Sequence, residues 1–106
     1  MGKISQLNNC LKKLKVPVAY GRFKRKQEFP FIIMIGAGST FFSADNNSIF
    51  HGESEYRVEL YFQNKDENLE EAIENALVSN EFAILDKSED IYIDKEDCFE
   101  VYYTVS

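Results

Sequence analysis

The sequence predicts an α+β domain with a mainly antiparallel sheet of about five to six strands and two helices packed on one face. Three observations carry this. Apolar residues recur at helical spacing near the front (Ile4, Leu7, Leu11, Leu14) and again after residue 66. Tyr56 to Gln63 alternates as a strand does, with Tyr56, Val58, Leu60 and Phe62 on one side. The order of elements, helix then strands then helix then strands, contains no regular βαβ repeat, which excludes a doubly wound parallel sheet. At 106 residues, the chain reads as one domain spanning 1–106.

Residues 4 to 15 are expected to be the first helix, with Lys12, Lys13 and Lys15 in a last turn that favours positive charge. Pro17 stops it, because proline pushes the preceding residue out of the α region. Val18 to Phe23 reads as a short extended segment and Lys24 to Gln27 as its polar exit. After the breaker Phe29-Pro30 comes Phe31-Ile32-Ile33-Met34-Ile35, too short for a buried helix and therefore a central strand covered on both faces. Gly36-Ala37-Gly38-Ser39 is expected to end it. Phe41 to Ala44 and Ser48 to His51 read as further short strands, joined by an Asp45-Asn46-Asn47 turn.

The second helix starts in Asn64 to Asp66, where Asn64 and Glu67 have capping-box spacing. Leu69, Ala72, Ile73, Ala76 and Leu77 form its buried stripe, and Glu67, Glu70, Glu71 and Glu74 its outer face. Asn80 is the expected C-terminal cap. Phe82 to Leu85 and Phe99 to Val105 close the chain as strands, with Phe99, Val101, Tyr103 and Val105 inward.

Charge is divided along the chain. The first 27 residues hold eight of the twelve Lys/Arg and no Asp or Glu; the rest carries four basic residues against eighteen acids, a net of −14. A split of this kind bears on contact surfaces rather than on fold or catalysis. Lys12, Lys13, Lys15, Arg22, Lys24, Arg25 and Lys26 are interleaved with Tyr20 and Phe23, a mixture that nucleic-acid binders use. The overall pI of 4.8 argues against a dedicated binder. A solvated face, a protein contact and a nucleic-acid contact are the three readings of this segment.

No apolar run approaches the ~20 residues needed to span a bilayer, so no membrane partner is expected. Ile4, Leu7, Leu11 and Leu14 are interrupted by polar residues and do not form a signal-peptide core. A cytoplasmic location is expected, with Cys10 and Cys98 as reduced thiols. Two Cys and one His fall short of a zinc set, and no other cofactor is implied.

Other chemistry finds weak footing. Gly36-Ala37-Gly38-Ser39 lacks the third glycine and the Lys-Ser/Thr of phosphate loops and reads as a flexible hairpin turn. Asp86, Ser88, Asp90, Tyr92, Asp94 and Asp97 have calcium-loop spacing. Ile91 stands where that loop needs glycine and Asp97 where it needs glutamate, so a solvated acidic connection is the better reading. His51 is the single histidine, and nothing in the spacing of Ser39, Ser48 or Cys98 selects a nucleophile for it. No enzyme is expected.

The succession of blocks resembles a known family. Pro17-Val18-Ala19-Tyr20-Gly21-Arg22-Phe23-Lys24 followed by Phe29-Pro30-Phe31-Ile32-Ile33 is similar to the opening of small proteins from tailed phages and prophages of Gram-positive bacteria. Ser43-Ala44-Asp45-Asn46, then Tyr56-Arg57-Val58-Glu59-Leu60-Tyr61 with Lys65-Asp66 and the Glu-rich helix, resemble its middle blocks. Ile93 to Glu96 with Phe99-Glu100-Val101-Tyr102-Tyr103 resembles its closing strand. Phe29-Pro30 and Met34 depart from the family's usual Pro-Pro and central-strand aromatic.

These are tail-completion or head–tail joining proteins, related in fold to tail terminators. The resemblance implies a non-enzymatic homo-oligomer, a hexameric ring that caps the tail tube protein and docks it to head connector proteins. It further implies a location in the host cytoplasm during assembly and then at the virion neck or tail end. The alternative, nucleic-acid reading of residues 12–26 sets the basic segment against DNA in the ring's lumen. On that expectation the basic segment, Lys12 to Lys26, meets either Glu67, Glu70, Glu71 and Glu74 of a neighbour or acidic surface on the head connector. Glu70→Lys with Glu74→Lys should then disturb assembly and leave folding intact.

Overall fold

The computed structural model describes residues 3–43 and 49–106, with side chains described at 3–38 and 54–106. The first helix, α1, runs Lys3–Lys12. Its stripe behaves as the spacing requires: Leu7 and Leu11 are wholly buried with Cys10, and Ile4 and Leu14 pack against them. The helix ends earlier than expected. Leu14 and Lys15 make turn bonds back to Leu11 and Lys12, and Lys15 adopts a left-handed φ of 63° that reverses the chain. Of the three lysines, Lys12 alone stays in the last turn.

Strand β1 is Val18–Tyr20, shorter than the expected 18 to 23, because Gly21 turns the chain away at φ 79°. It runs parallel to β2, Phe31–Ser43, pairing Val18 with Ile32 and Tyr20 with Met34. Strand β2 departs from expectation twice. It continues through Gly36–Ser39, whose glycine-rich stretch absorbs a register shift instead of making a turn, Gly38 taking φ 115°. It is also covered on one face only: Ile32 and Met34 are buried, but Ile35 is 39% exposed. An unbroken apolar run does not by itself show that both faces are covered.

Strand β3, Ile49–Phe62, pairs antiparallel with β2 from Phe31↔Tyr61 to Ser43↔Ile49. The short strands expected at Phe41 to Ala44 and Ser48 to His51 thus fall, over their described residues, in the outer arms of β2 and β3. The Asp45-Asn46-Asn47 turn, with Ala44 and Ser48, lies outside the described residues. Pairing of β1 stops at Met34, and that of the closing strand stops at Tyr56. Beyond those rows the hairpin is a ribbon of two strands.

Helix α2 is Glu67–Ser79. Its N-cap is Asp66, not Asn64: the Asp66 carboxylate accepts from the Leu69 N–H at 3.0 Å, and Asn64 lies two residues too early. Ile73 and Leu77 are buried and Leu69 packs beside them. Asn80 is the C-cap, its N–H directed at Leu77 and Val78 and its side-chain amide donating to the Ala76 carbonyl at 2.7 Å.

Phe82 enters the core rather than starting a strand, and β4 runs Ile84–Lys87. A short strand the sequence reading missed, β5 (Ile91–Ile93), and a 3-10 turn (Asp94–Glu96) occupy the acidic connection. The closing strand β6, Cys98–Val105, buries Val101, Tyr103 and Val105. The sheet order is β1-β2-β3-β6-β4, with β5 following β4 along β6. Among the described residues this is a six-stranded sheet, antiparallel except at β1, with both helices over one face. Helix α1 lies against β1 and α2 against β4.

Candidate assembly interface

Each of the seven basic candidates, Lys12, Lys13, Lys15, Arg22, Lys24, Arg25 and Lys26, is exposed. None pairs with an acid among the described residues. Three of them line grooves. Lys12 lines a groove between α1 and β1 with Ile4, Asn8, Val18 and Tyr20. Arg25 and Lys26 line another with Phe23, Phe29, Ile33 and Glu96. There Phe31 meets Phe23 edge-on at 5.4 Å and stacks on Phe29 at 5.3 Å and on Tyr61 at 5.1 Å. Phe23 is therefore engaged inside the chain, and Tyr20 is the aromatic left exposed among the cations.

The acidic candidates divide differently. Glu67 and Glu71 are exposed, but Glu70 is buried, its side chain only 5% accessible. Lys65 Nζ lies 2.6 Å from one Glu70 oxygen and Lys87 Nζ 3.1 Å from the other. Lys65 also reaches Asp90 at 3.0 Å. Glu74 Oε2 takes Lys87 at 2.9 Å and accepts from the Tyr103 hydroxyl at 2.7 Å. Two of the four outer-face glutamates are thus committed inside the chain. The expectation that Glu70→Lys with Glu74→Lys spares folding is overturned, because the substitution would set new cations against Lys65 and Lys87.

Electrostatics follow this geometry. Burial alone would raise the Glu74 carboxyl, but bonds from Lys87 and Tyr103 outweigh it and hold it below the ordinary carboxylate range. The bond to Glu70 raises Lys65, and the bond to Glu74 raises Lys87. Burial and the bond to Glu74 push the Tyr103 phenol up. Sequence reasoning missed Lys65, Lys87, Asp90 and Tyr103 as members of this cluster. One signal was present: a tyrosine on the inward side of a buried strand needs an acceptor, and an overlying helix rich in glutamate offers one.

The sheet face away from the helices carries three aligned rows: Phe31, Tyr61 and Glu100; Ile33, Glu59 and Tyr102; Ile35, Arg57 and Thr104. The Tyr61 hydroxyl donates to Glu59 at 2.9 Å, and the Arg57 guanidinium sits 4.5 Å from the Tyr102 ring centre. Burial, with Glu59 nearby, raises the Glu100 carboxyl, and Arg57 offsets this in part.

Gly36 to Ser39 lies in a strand that continues as a strand, without the helix N-terminus that makes an anion loop. The Asp86 to Asp97 segment is flanked by strands, unlike a helix-flanked calcium loop. Among the described residues no three His, Cys, Asp or Glu converge as metal ligands. The His51 side chain lies outside the described set. Cys10 and Cys98 are free and buried, and burial raises both thiols. Among the described residues no helix is long and apolar enough to cross a membrane.

No protein-family model matches this chain, and no curated protein matches it at a significant level.

Proposed function

We propose that this chain is a structural, non-enzymatic subunit of a tailed phage's neck or tail end, forming a six-copy ring that completes the tail and joins it to the head connector. The observation that carries this reading is the placement of unpaired charge. Seven exposed cations lie around α1, β1 and the segment after it, while exposed acids lie around α2 and β4. A head-to-tail ring needs two different, complementary patches on every subunit. The open sheet face, with its apolar and aromatic rows, supplies further surface for the tail tube and connector. The resemblance of the sequence blocks to phage tail-completion proteins sets the biological context.

Electron microscopy of induced lysates carrying an in-frame deletion of the gene tests this role. Filled heads and tails accumulating apart, or tails of uncontrolled length, are expected; normal infectious virions would remove the proposal. The second reading is contact with nucleic acid through residues 12–26, favoured by the exposed Tyr20 beside Lys12. It requires DNA binding that falls steeply with salt, and absence of binding at about 50 mM salt would dispose of it.

A further inference from the structure

We infer that copies of this chain join edge to edge, the basic β1 edge of one docking on the acidic β4–β5 edge of the next. The inference rests on the ring reading and names the surfaces that form its contacts. The sheet order places these strands at opposite edges. On β1, the Ile32 N–H bonds the Pro17 carbonyl at 2.8 Å and the Gly21 N–H bonds the Met34 carbonyl at 2.7 Å. Positions 17 and 21 therefore face β2, and by alternation the peptide groups of Val18 and Tyr20 turn outward; the Tyr20 carbonyl accepts from the Arg22 N–H at 2.9 Å, which leaves the Val18 peptide groups and the Tyr20 N–H to the edge. On the opposite edge Ala83 exchanges two bonds of 3.0 Å with Ser106, and the Ser88 N–H bonds the Tyr102 carbonyl. Ile84 and Lys87 then turn their peptide groups outward.

The two edges match in chemistry as well as in backbone. Each exposes apolar surface, Tyr20 at 58% on one side and Leu85 at 52% with Tyr92 at 51% on the other. Beside β1 stand Lys12, Lys15 and Arg22, from a stretch that contains no acid. Beside β4 and β5 stand Asp86, Glu89 and Asp94, with Glu67 and Glu71 on the adjoining helix. The one cation within β4, Lys87, is neutralised by Glu70 and Glu74. Lys95, in the following turn, leaves the edge net acidic.

Unpaired edges invite pairing with other chains, and charge decides which pairings are allowed. Two β1 edges repel one another, as do two β4–β5 edges. The attractive combination joins unlike edges, and because both belong to one chain the contact repeats from copy to copy. A second copy is thus the partner that this chain's own charge distribution fits.

The test uses the full chain with Tyr20→Cys and Leu85→Cys introduced together, oxidised at low salt and resolved on a denaturing gel. A ladder of dimers, trimers and larger species is expected, linked through the two introduced thiols and weakening as salt rises. Chains with one introduced cysteine should stay monomeric, because docking then sets each thiol against an edge that carries none; dimers linked through like edges would contradict the pairing. Asp86→Lys with Glu89→Lys, or Lys12→Glu with Arg22→Glu, should each abolish the ladder. Mixing the two charge variants should restore it, since each then meets the opposite edge. All four residues are exposed, so these variants should retain the wild-type urea midpoint. No ladder at low salt, or a ladder indifferent to the charge variants, overturns the inference. Separated heads and tails from the deletion strain without a ladder would keep the ring and remove this contact. Normal virions with a ladder would keep the contact and remove the neck role.

Discussion

The Tyr103 hydroxyl and Lys87 Nζ meet at a single atom, Glu74 Oε2, at 2.7 and 2.9 Å. One carboxylate on α2 thereby ties down β6 and β4 together. Hydrogen bonds to charged groups are the stronger kind, but Glu74 is partly solvated. Tyr103→Phe should therefore cost about 1–2 kcal/mol, measured by urea unfolding at neutral pH. An unchanged midpoint would mean that this bond does not hold the elements together.

The same cluster predicts an acid response. The folded-state pKa of Glu74 is depressed, so its stabilisation is complete above the ordinary carboxylate range and is lost as pH falls through the depressed value. Urea midpoints should fall on acidification across that window. Lys87→Met combined with Tyr103→Phe should flatten the part of the fall due to Glu74. An acid limb of unchanged slope would contradict the assignment.

Glu70 offers an asymmetric comparison. Deleting its carboxylate leaves Lys65 and Lys87, at 42% and 41% exposure, free to hydrate, so Glu70→Ala should cost about 1–2 kcal/mol. Deleting both cations strands a buried carboxylate, so Lys65→Met with Lys87→Met should cost about 3–5 kcal/mol. Glu71→Lys, on the exposed part of the helix beyond its first turn, should stay within about 0.5 kcal/mol of wild type. Denaturant unfolding of the three variants in parallel checks the order.

Glu100 points the other way. Its raised carboxyl pKa marks a charge that the folded sheet tolerates poorly, a penalty present once pH exceeds that value. Glu100→Gln should raise the thermal midpoint at neutral pH, with the gain shrinking on acidification. A lower midpoint would show that the carboxylate makes an interaction it cannot spare.

The layered α+β fold was legible because period and alternation report burial directly: Leu7, Leu11, Ile73 and Leu77, and Val58, Leu60, Val101 and Tyr103, all face the core as their spacing demands. What failed was local punctuation. Gly36 and Gly38 have the composition of a turn, yet glycine serves a bulge equally well, and the choice fell to pairing with β3, a long-range effect. Strand β5 was hidden because three residues cannot display a period. The exposure of the basic segment followed from its charge alone. The commitment of Glu70 and Glu74 did not, because it depends on where the side chains of Lys65, just before α2, and Lys87, on β4, come to lie, which spacing along the chain does not display.

The most direct test of a neck or tail-end role is antibody-gold labelling of purified particles, using antibody raised against this chain. The account predicts gold at the junction of head and tail or at the tail end, and on free tails that have been completed. Gold absent from particles while the protein stays in the soluble fraction would contradict it.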